Sequence, residues 1–189
     1  AWQPLRQFRF DLAASYGNWV YVDDVSGSYI PDFSDPNSTE EYNYYIKDLK
    51  VGDAPQTQLA AGVTFFVLKG VQANLTWRYY DNYYSQFDPF SRDDEMDRAQ
   101  VWQIPSYSLF DAHFYYDLPV ELGGVKASVF AHVFNLFDEL YVEDATDNSA
   151  YNGLIDPETD EYYKSHSASS AEVYVGLPRS FNAGFRVEF

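Results

Sequence analysis

Leu59-Ala60-Ala61-Gly62-Val63-Thr64-Phe65-Phe66-Val67-Leu68-Lys69-Gly70-Val71-Gln72-Ala73-Asn74-Leu75-Thr76-Trp77-Arg78-Tyr79-Tyr80 holds two strands and the turn between them. In its first half Leu59, Ala61, Val63, Phe65 and Val67 alternate with Ala60, Gly62 and Thr64. In its second half Val71, Ala73, Leu75, Trp77 and Tyr79 alternate with Gln72, Asn74, Thr76, Arg78 and Tyr80. A period of two belongs to a strand, because successive side chains leave opposite faces of the backbone. Only Lys69 and Gly70 separate the two runs, so they form a hairpin closed by a tight turn.

The same alternation recurs on either side. Phe8, Phe10, Leu12, Ala14 and Tyr16 alternate with Arg9, Asp11, Ala13, Ser15 and Gly17. Around Tyr107 to Leu118, Phe110, Ala112, Phe114, Tyr116 and Leu118 oppose Asp111, His113, Tyr115 and Asp117. A short turn at Leu122-Gly123-Gly124 leads to a fifth run, where Val125, Ala127, Val129, Ala131 and Val133 oppose Lys126, Ser128, Phe130, His132 and Phe134. The sixth closes the chain, with Phe181, Ala183, Phe185, Val187 and Phe189 against Ser180, Asn182, Gly184, Arg186 and Glu188. No stretch sustains a 3.6-residue pattern, so the expected fold class is all-β.

Between the strands, two connections are tight and three are long, polar and acidic: about Ser26 to Glu41, Gln86 to Gln100 and Ala145 to Ser170. Tight turns at one end of every hairpin and long loops at the other are the pattern of an outer-membrane barrel. The two faces point the same way. The apolar face carries no charge in the centre of any run, whereas the opposite face holds Asp, Arg, Lys, His and Glu beside Gly and Ser, as for an apolar belt facing lipid around a polar lumen. A soluble, lipocalin-like barrel shows alternation too and stays open as a reading of these residues.

Composition narrows the classes. Aromatic residues make up 20% of the 189-residue chain, and Tyr and Trp favour boundaries between apolar and wet surroundings, which suits membrane girdles or a stacking surface. A net charge of −17 excludes nucleic acid as partner, since phosphate backbones are bound by clustered Lys and Arg. Without Cys there is neither a disulfide framework nor a thiolate metal site. No apolar run approaches the roughly 18 residues of a spanning helix, and Ala1-Trp2-Gln3-Pro4 has no signal-peptide pattern. A membrane location therefore requires strands, with the export signal upstream. Six strands cannot close a barrel in lipid, where bacterial single-chain examples begin at eight, so the chain is expected to be part of a longer wall or to need partner chains.

Three motifs carry a resemblance. Tyr174-Val175-Gly176-Leu177-Pro178-Arg179-Ser180 running into the terminal strand is one, and Phe134-Asn135-Leu136-Phe137-Asp138 followed by Tyr141 is the second. The third is Val51-Gly52-Asp53-Ala54-Pro55-Gln56-Thr57-Gln58 with the later Trp77-Arg78-Tyr79-Tyr80-Asp81. In this order and spacing they resemble the C-terminal barrel segment of TonB-dependent outer-membrane receptors of Bacteroidota type, over nearly the whole of residues 1–189. The resemblance implies a 22-stranded barrel of which these are the last six strands, with the plug and the energy-coupling box upstream. It also implies outer-membrane lipid, the rest of the same barrel, its plug and the TonB complex as partners, with a surface lipoprotein as a further candidate. Gly184, Phe185, Val187 and Phe189 would form the barrel-assembly signal, although Val187 stands where an aromatic is frequent.

Among individual residues, Arg78, Tyr80, Tyr84 and Trp102 are the candidates for ligand binding. Of the aromatic loop ends Tyr79, Tyr80, Tyr83, Tyr84 and Phe87, with Trp102 opposite, some should form a girdle at the headgroups, the commoner role, while Tyr80 and Tyr84 are in phase with Arg78 on the lumen side. His113 and His132, on the polar face of neighbouring strands without a third ligand in pattern, read as hydrogen-bonded lumen residues rather than a metal site. His166 reads as a solvated loop residue. The acidic runs Asp93-Asp94-Glu95-Met96-Asp97 and Asp156-Pro157-Glu158-Thr159-Asp160-Glu161 lack calcium-loop spacing and read as solvated loops. Asn37-Ser38-Thr39 matches a glycosylation sequon that has no meaning in a bacterium. No nucleophile-elbow, phosphate-loop or zinc-protease motif is present, and nothing selects one carboxylate pair among 29 acidic residues, so no enzyme activity and no cofactor is expected. The expected role is import of a ligand across the outer membrane of a Gram-negative bacterium. The alternatives are a passive porin or adhesin barrel and a soluble, aromatic-rich carbohydrate-binding protein.

Overall fold

The computed structural model describes residues 1–31, 34–35, 38–122, 125–151, 154–156, 158–159 and 162–188. Gly123 and Gly124 of the second tight turn, the terminal Phe189, Asn37 of the sequon, and Pro157, Asp160 and Glu161 of the second acidic run lie outside them.

All six expected strands are present, preceded by a short one that the alternation did not reveal. The chain opens with β1 (Trp2–Leu5) and β2 (Phe8–Tyr16), then makes a loop hairpin of β3 (Val25–Tyr29) and β4 (Glu40–Tyr44). The hairpin β5 (Thr57–Leu68) and β6 (Val71–Asp81) follows, then the short strands β7 (Tyr83–Tyr84), β8 (Gln86–Phe87) and β9 (Gln103–Ile104). Next come β10 (Tyr107–Leu122) and β11 (Val125–Phe134). The last loop contributes β12 (Val142–Asp147), β13 (Leu154–Ile155), β14 (Tyr162–Tyr163) and β15 (Ala171–Val175), before β16 (Ser180–Glu188). Among the described residues there is no α-helix, only a 3-10 turn at Pro89–Ser91.

One seven-stranded sheet dominates, in the order β1-β2-β5-β6-β10-β11-β16, and every pairing within it is antiparallel. Because neighbours in the sheet are also successive wall strands, every tight turn falls at one end and every long loop at the other. At the tight end Gly70 has φ of 82°, a region open to glycine without a Cβ penalty. Its carbonyl accepts from the Asp117 amide at 2.8 Å, fastening the turn to the third strand of the group. The sheet is open: β1 and β16 have one neighbour each.

Register carries the alternation across strands. One row reads Phe8, Phe65, Ala73, Phe114, Ala131, Ala183 and the next Phe10, Val63, Leu75, Ala112, Val133, Phe181, all on one face. Between these two rows on the opposite face runs Arg9, Thr64, Asn74, His113, His132, Asn182. A slip of one residue anywhere would mix the rows. Among the described residues no second layer covers the apolar face: Leu12 is 83% exposed, Phe181 83% and Phe185 77%. The buried apolar residues instead gather at the loop end, where Tyr83, Ile104 and Ala145 form a small core with Trp102 and Val142 against it. The core of this molecule lies beside its main sheet, not under it.

The loops are more regular than their composition suggested. β12 pairs antiparallel with β15 and parallel with β8, so the second and third long loops share a three-stranded sheet. β7 pairs with β9, β13 with β14, and β3 with β4.

Candidate functional site

The polar face of the wall and the loop cap at its end make up the candidate site. On the wall, side chains of the polar face hydrogen-bond to one another across and along the strands. Arg9 Nη2 donates to Thr64 Oγ1 at 3.3 Å, Asn74 Nδ2 to the same oxygen at 3.0 Å, and Thr76 Oγ1 to Asn74 Oδ1 at 3.0 Å. The Nδ1 atoms of His113 and His132 lie 2.8 Å apart. Nearer the loops, Arg78 pairs with Asp111 at 2.5 Å, and the other Asp111 oxygen accepts from the Asn135 amide at 3.0 Å. A hollow of about 420 Å³ opens over this row, lined by Arg9, Gln72, Asn74, His113, Tyr115, His132 and Phe134. It offers amide, guanidinium and imidazole groups beside aromatic rings, a lining suited to a polar guest.

The four candidate ligand residues divide between wall and cap. Arg78 and Tyr80 line a second hollow, of about 180 Å³, with Gln58 and Ser15. Tyr80 also packs on Tyr107, which stacks in turn on Tyr141 at 4.5 Å between ring centroids. Tyr84 sits in the short β7–β9 ladder opposite Gln103, with Lys50 Nζ 5.8 Å from the centre of its ring. Trp102 packs against the cap core, and its carbonyl accepts from the Ser85 amide at 2.9 Å. Neither Tyr84 nor Trp102 lines the hollow of Arg78 and Tyr80.

The three motifs of the sequence turn out to anchor loop bases. Asn135 stands at φ 49°, in the left-handed region that Asn tolerates. Its side chain accepts from the Glu139 amide at 2.8 Å and donates to the Glu139 and Leu177 carbonyls at 2.9 and 3.2 Å. Asp138 accepts from the Arg179 amide at 2.8 Å, and the Tyr141 ring lies where any side chain at Gly176 would stand. The first and second motifs are thus clasped together. Gln56 of the third is buried and bonds both the amide and the carbonyl of Trp19, at 2.9 and 3.0 Å. Of the residues expected to form an assembly signal, Gly184 lies beneath the Phe130 ring, which occupies the space a Cβ would need, while Phe185 and Val187 lie on the exposed apolar face.

Two expectations about the loops are corrected. His166 is buried, 5% exposed, not solvated. Its Nδ1 lies 2.5 Å from Asp147 Oδ2 and its Nε2 3.0 Å from both oxygens of Asp97. The acidic run ending at Asp97 is likewise not wholly solvated, because Asp97 turns inward to this histidine and to Arg92. Arg92 has no exposed side-chain surface; it donates to Ala99 O at 2.9 Å and to Asp97 at 3.2 Å, and reaches Asp147 at 3.5 Å. Ser149 donates to Asp147 through both its amide and its hydroxyl. Both His166 nitrogens face a carboxylate, and both donate only when the ring carries two protons. Burial alone would raise the Asp147 carboxyl, but hydrogen bonds from His166 and from the Ser149 hydroxyl and backbone outweigh it and hold the group below its ordinary value. Burial pulls the Arg92 guanidinium down against the opposing pull of Asp97 and Asp147. Ser149 Oγ faces the carboxylate and not the imidazole, so this is no nucleophilic triad. No local pattern marks the cluster, since its members come from two separate loops.

Among the described residues, no group of three or more His, Asp or Glu side chains is arranged to hold a metal ion. Nor is any helix among the described residues long and apolar enough to cross a membrane, which says nothing of strands. The chain matches no protein-family model and no curated protein.

Proposed function

We propose that this chain forms part of the barrel wall and extracellular loops of an outer-membrane receptor that imports a ligand with energy supplied through TonB. The carrying observation is the uncovered apolar face, which continues in register across the wall while the opposite face is polar. In water such a face is a large exposed patch of the kind monomeric proteins avoid. In lipid it is a solvated surface. Strand lengths agree: β2, β5, β6, β11 and β16 have 9 to 12 residues, about the 9–11 that a tilted strand needs to span a bilayer. A shallow furrow of about 370 Å³ on the apolar side, floored by Ala73, Ala112 and Ala131 between Phe65 and Phe114, has the lining of a seat for an acyl chain.

On this reading β1 and β16 pair with the remaining strands of the same barrel, the long loops face outside, and the tight turns face the periplasm. The capped end receives the ligand and the polar face borders the plug. The TonB dependence rests on the resemblance of the clasped motifs, and it comes with no catalytic step.

Residues 1–189 contain no cysteine, so single cysteines placed there, in a full-length protein cleared of any other cysteine, report topology on intact cells. Met96→Cys is expected to react with a membrane-impermeant maleimide from outside, and Lys69→Cys only after the outer membrane is permeabilised. Equal labelling of both on intact cells, or recovery of the protein without detergent, would refute the membrane placement. Steady conductance of the purified protein in a planar bilayer would turn the assignment to a passive porin instead of a plugged receptor.

A further inference from the structure

His113 and His132 stand directly opposite one another on β10 and β11, with both side chains on the polar face. Their Nδ1 atoms are 2.8 Å apart, so one ring donates to the other's lone pair. The rings are held from several sides: Tyr115 and Phe130 each lie 5.3 Å from His132, and Phe134 lies 5.6 Å from His113 and 6.1 Å from His132. Phe130 itself fits only because Gly184 leaves it room. Two imidazoles fixed by backbone register and aromatic packing therefore aim their nitrogens at one point beside the hollow of about 420 Å³.

A shared proton is one occupant of that point. A cation is another. With metal–nitrogen bonds of about 2.0–2.1 Å, two nitrogens on one ion stand roughly 2.9 Å apart at a right angle and roughly 3.3 Å apart at the tetrahedral angle. The observed separation falls about a tenth of an ångström short of the first value and about half an ångström short of the second, differences that χ adjustments absorb. Chelation requires both rings to carry their proton on Nε2. Asp111, on the same face two residues before His113, is occupied by Arg78 and the Asn135 amide, so it compensates a charge without serving as a third ligand.

We propose that His113 and His132 form a two-point chelating site for a divalent transition ion on the polar face of the wall. Imidazole donors select Cu²⁺, Ni²⁺ and Zn²⁺, with Cu²⁺ held most tightly, over Ca²⁺ and Mg²⁺, which take oxygen ligands. With only two protein donors, the remaining positions belong to water or to a donor atom on an incoming molecule, and the ion exchanges readily. The site rests on the pairing of β10 with β11 and stands or falls independently of the transport reading.

The test is a Cu²⁺ titration of the detergent-purified full-length protein followed by electron paramagnetic resonance. The wild type is expected to give a spectrum with two coordinated nitrogens, unaffected by excess Ca²⁺. His113→Asn and His132→Asn are each expected to weaken binding on the order of 100-fold, because either change turns a chelate into a single contact. A second measurement needs no variant: Zn²⁺ should protect both histidines from diethylpyrocarbonate, read peptide by peptide, and leave the reactivity of His166 unchanged. Unaltered Cu²⁺ affinity in the two variants, or modification of His113 and His132 at the same rate with and without Zn²⁺, overturns the proposal.

Discussion

The wall and the cap solve the problem of burial in opposite ways. The wall has almost no interior; its apolar side chains point outward, and it is held by backbone ladders and by a register that keeps two chemistries apart. The cap is built like a small soluble domain, with Tyr83, Ile104 and Ala145 packed together and charged groups buried beside them. Hydrophobic burial in water therefore stabilises the cap directly. The wall depends on whatever covers its apolar face. A perturbation should be felt in one region or the other according to which of these supports it removes.

The largest effect is expected in the cap. Arg92→Ala leaves Asp97 and Asp147 buried without their guanidinium, a loss of about 3–5 kcal/mol for a broken buried pair. Hydrogen exchange should show the amides of the second and third long loops losing protection while those of β10 and β11 keep theirs. If the wall strands loosen equally, cap and wall are one cooperative unit.

Phe114→Lys comes next, and it separates lipid from water as the solvent of the wall. At mid-span on a lipid-facing side it should cost about 2–4 kcal/mol and lower the amount of assembled barrel in membranes. Because Phe114 is already 41% exposed, a protein living in water would tolerate the change. Normal assembly of Phe114→Lys would remove the main distinction between the two faces.

A pH effect should follow, confined to the cap. Asp147 is held below its ordinary value in the folded protein, so its contribution is complete above the usual carboxylate range, near pH 4, and is lost as pH falls through the depressed value. The Asp147 contribution to loop protection should thus be steady from neutrality down to about pH 4 and decline below it, and Asp147→Asn should remove that component of the decline. A decline of the same size in the variant would assign the acid sensitivity to other carboxylates. The smallest effect belongs to the wall: Gly70→Ala places a Cβ at φ 82° against the Asp117 carbonyl, costing roughly 1–2 kcal/mol, read as a lower unfolding temperature with unchanged loop protection.

The same contrast explains what was legible in the sequence. Alternation betrayed β2, β5, β6, β10, β11 and β16 because each wall strand is amphipathic along its own length. β1 escaped because four residues, Pro4 among them, are too few to display a period. The cap was opaque for a different reason. Most of its ladders join segments of two residues, the longer β12–β15 ladder joins strands at opposite ends of one loop, and His166, Asp97 and Asp147 meet only after two loops have folded together. A lone histidine among serines looks solvated until its partners arrive from elsewhere. Of the candidate ligand residues, the phase of Arg78 and Tyr80 was legible from alternation, whereas the burial of Trp102 was not.

The clasp at Asn135 has a consequence for how such a protein can change over generations. Asp138 and Arg179 are 41 residues apart in sequence yet bonded, so the longest loop leaves the wall and re-enters it through a closed gate. Closing a flexible loop costs only slightly more as it lengthens, and here the closure is fixed by the clasp rather than by what lies beyond it. Residues between Tyr141 and Gly176, which lie beyond the clasp, are therefore expected to tolerate changes of length while β11 and β16 continue to meet in the same register. The loop is in effect a cartridge, and its socket is a single asparagine with its neighbours.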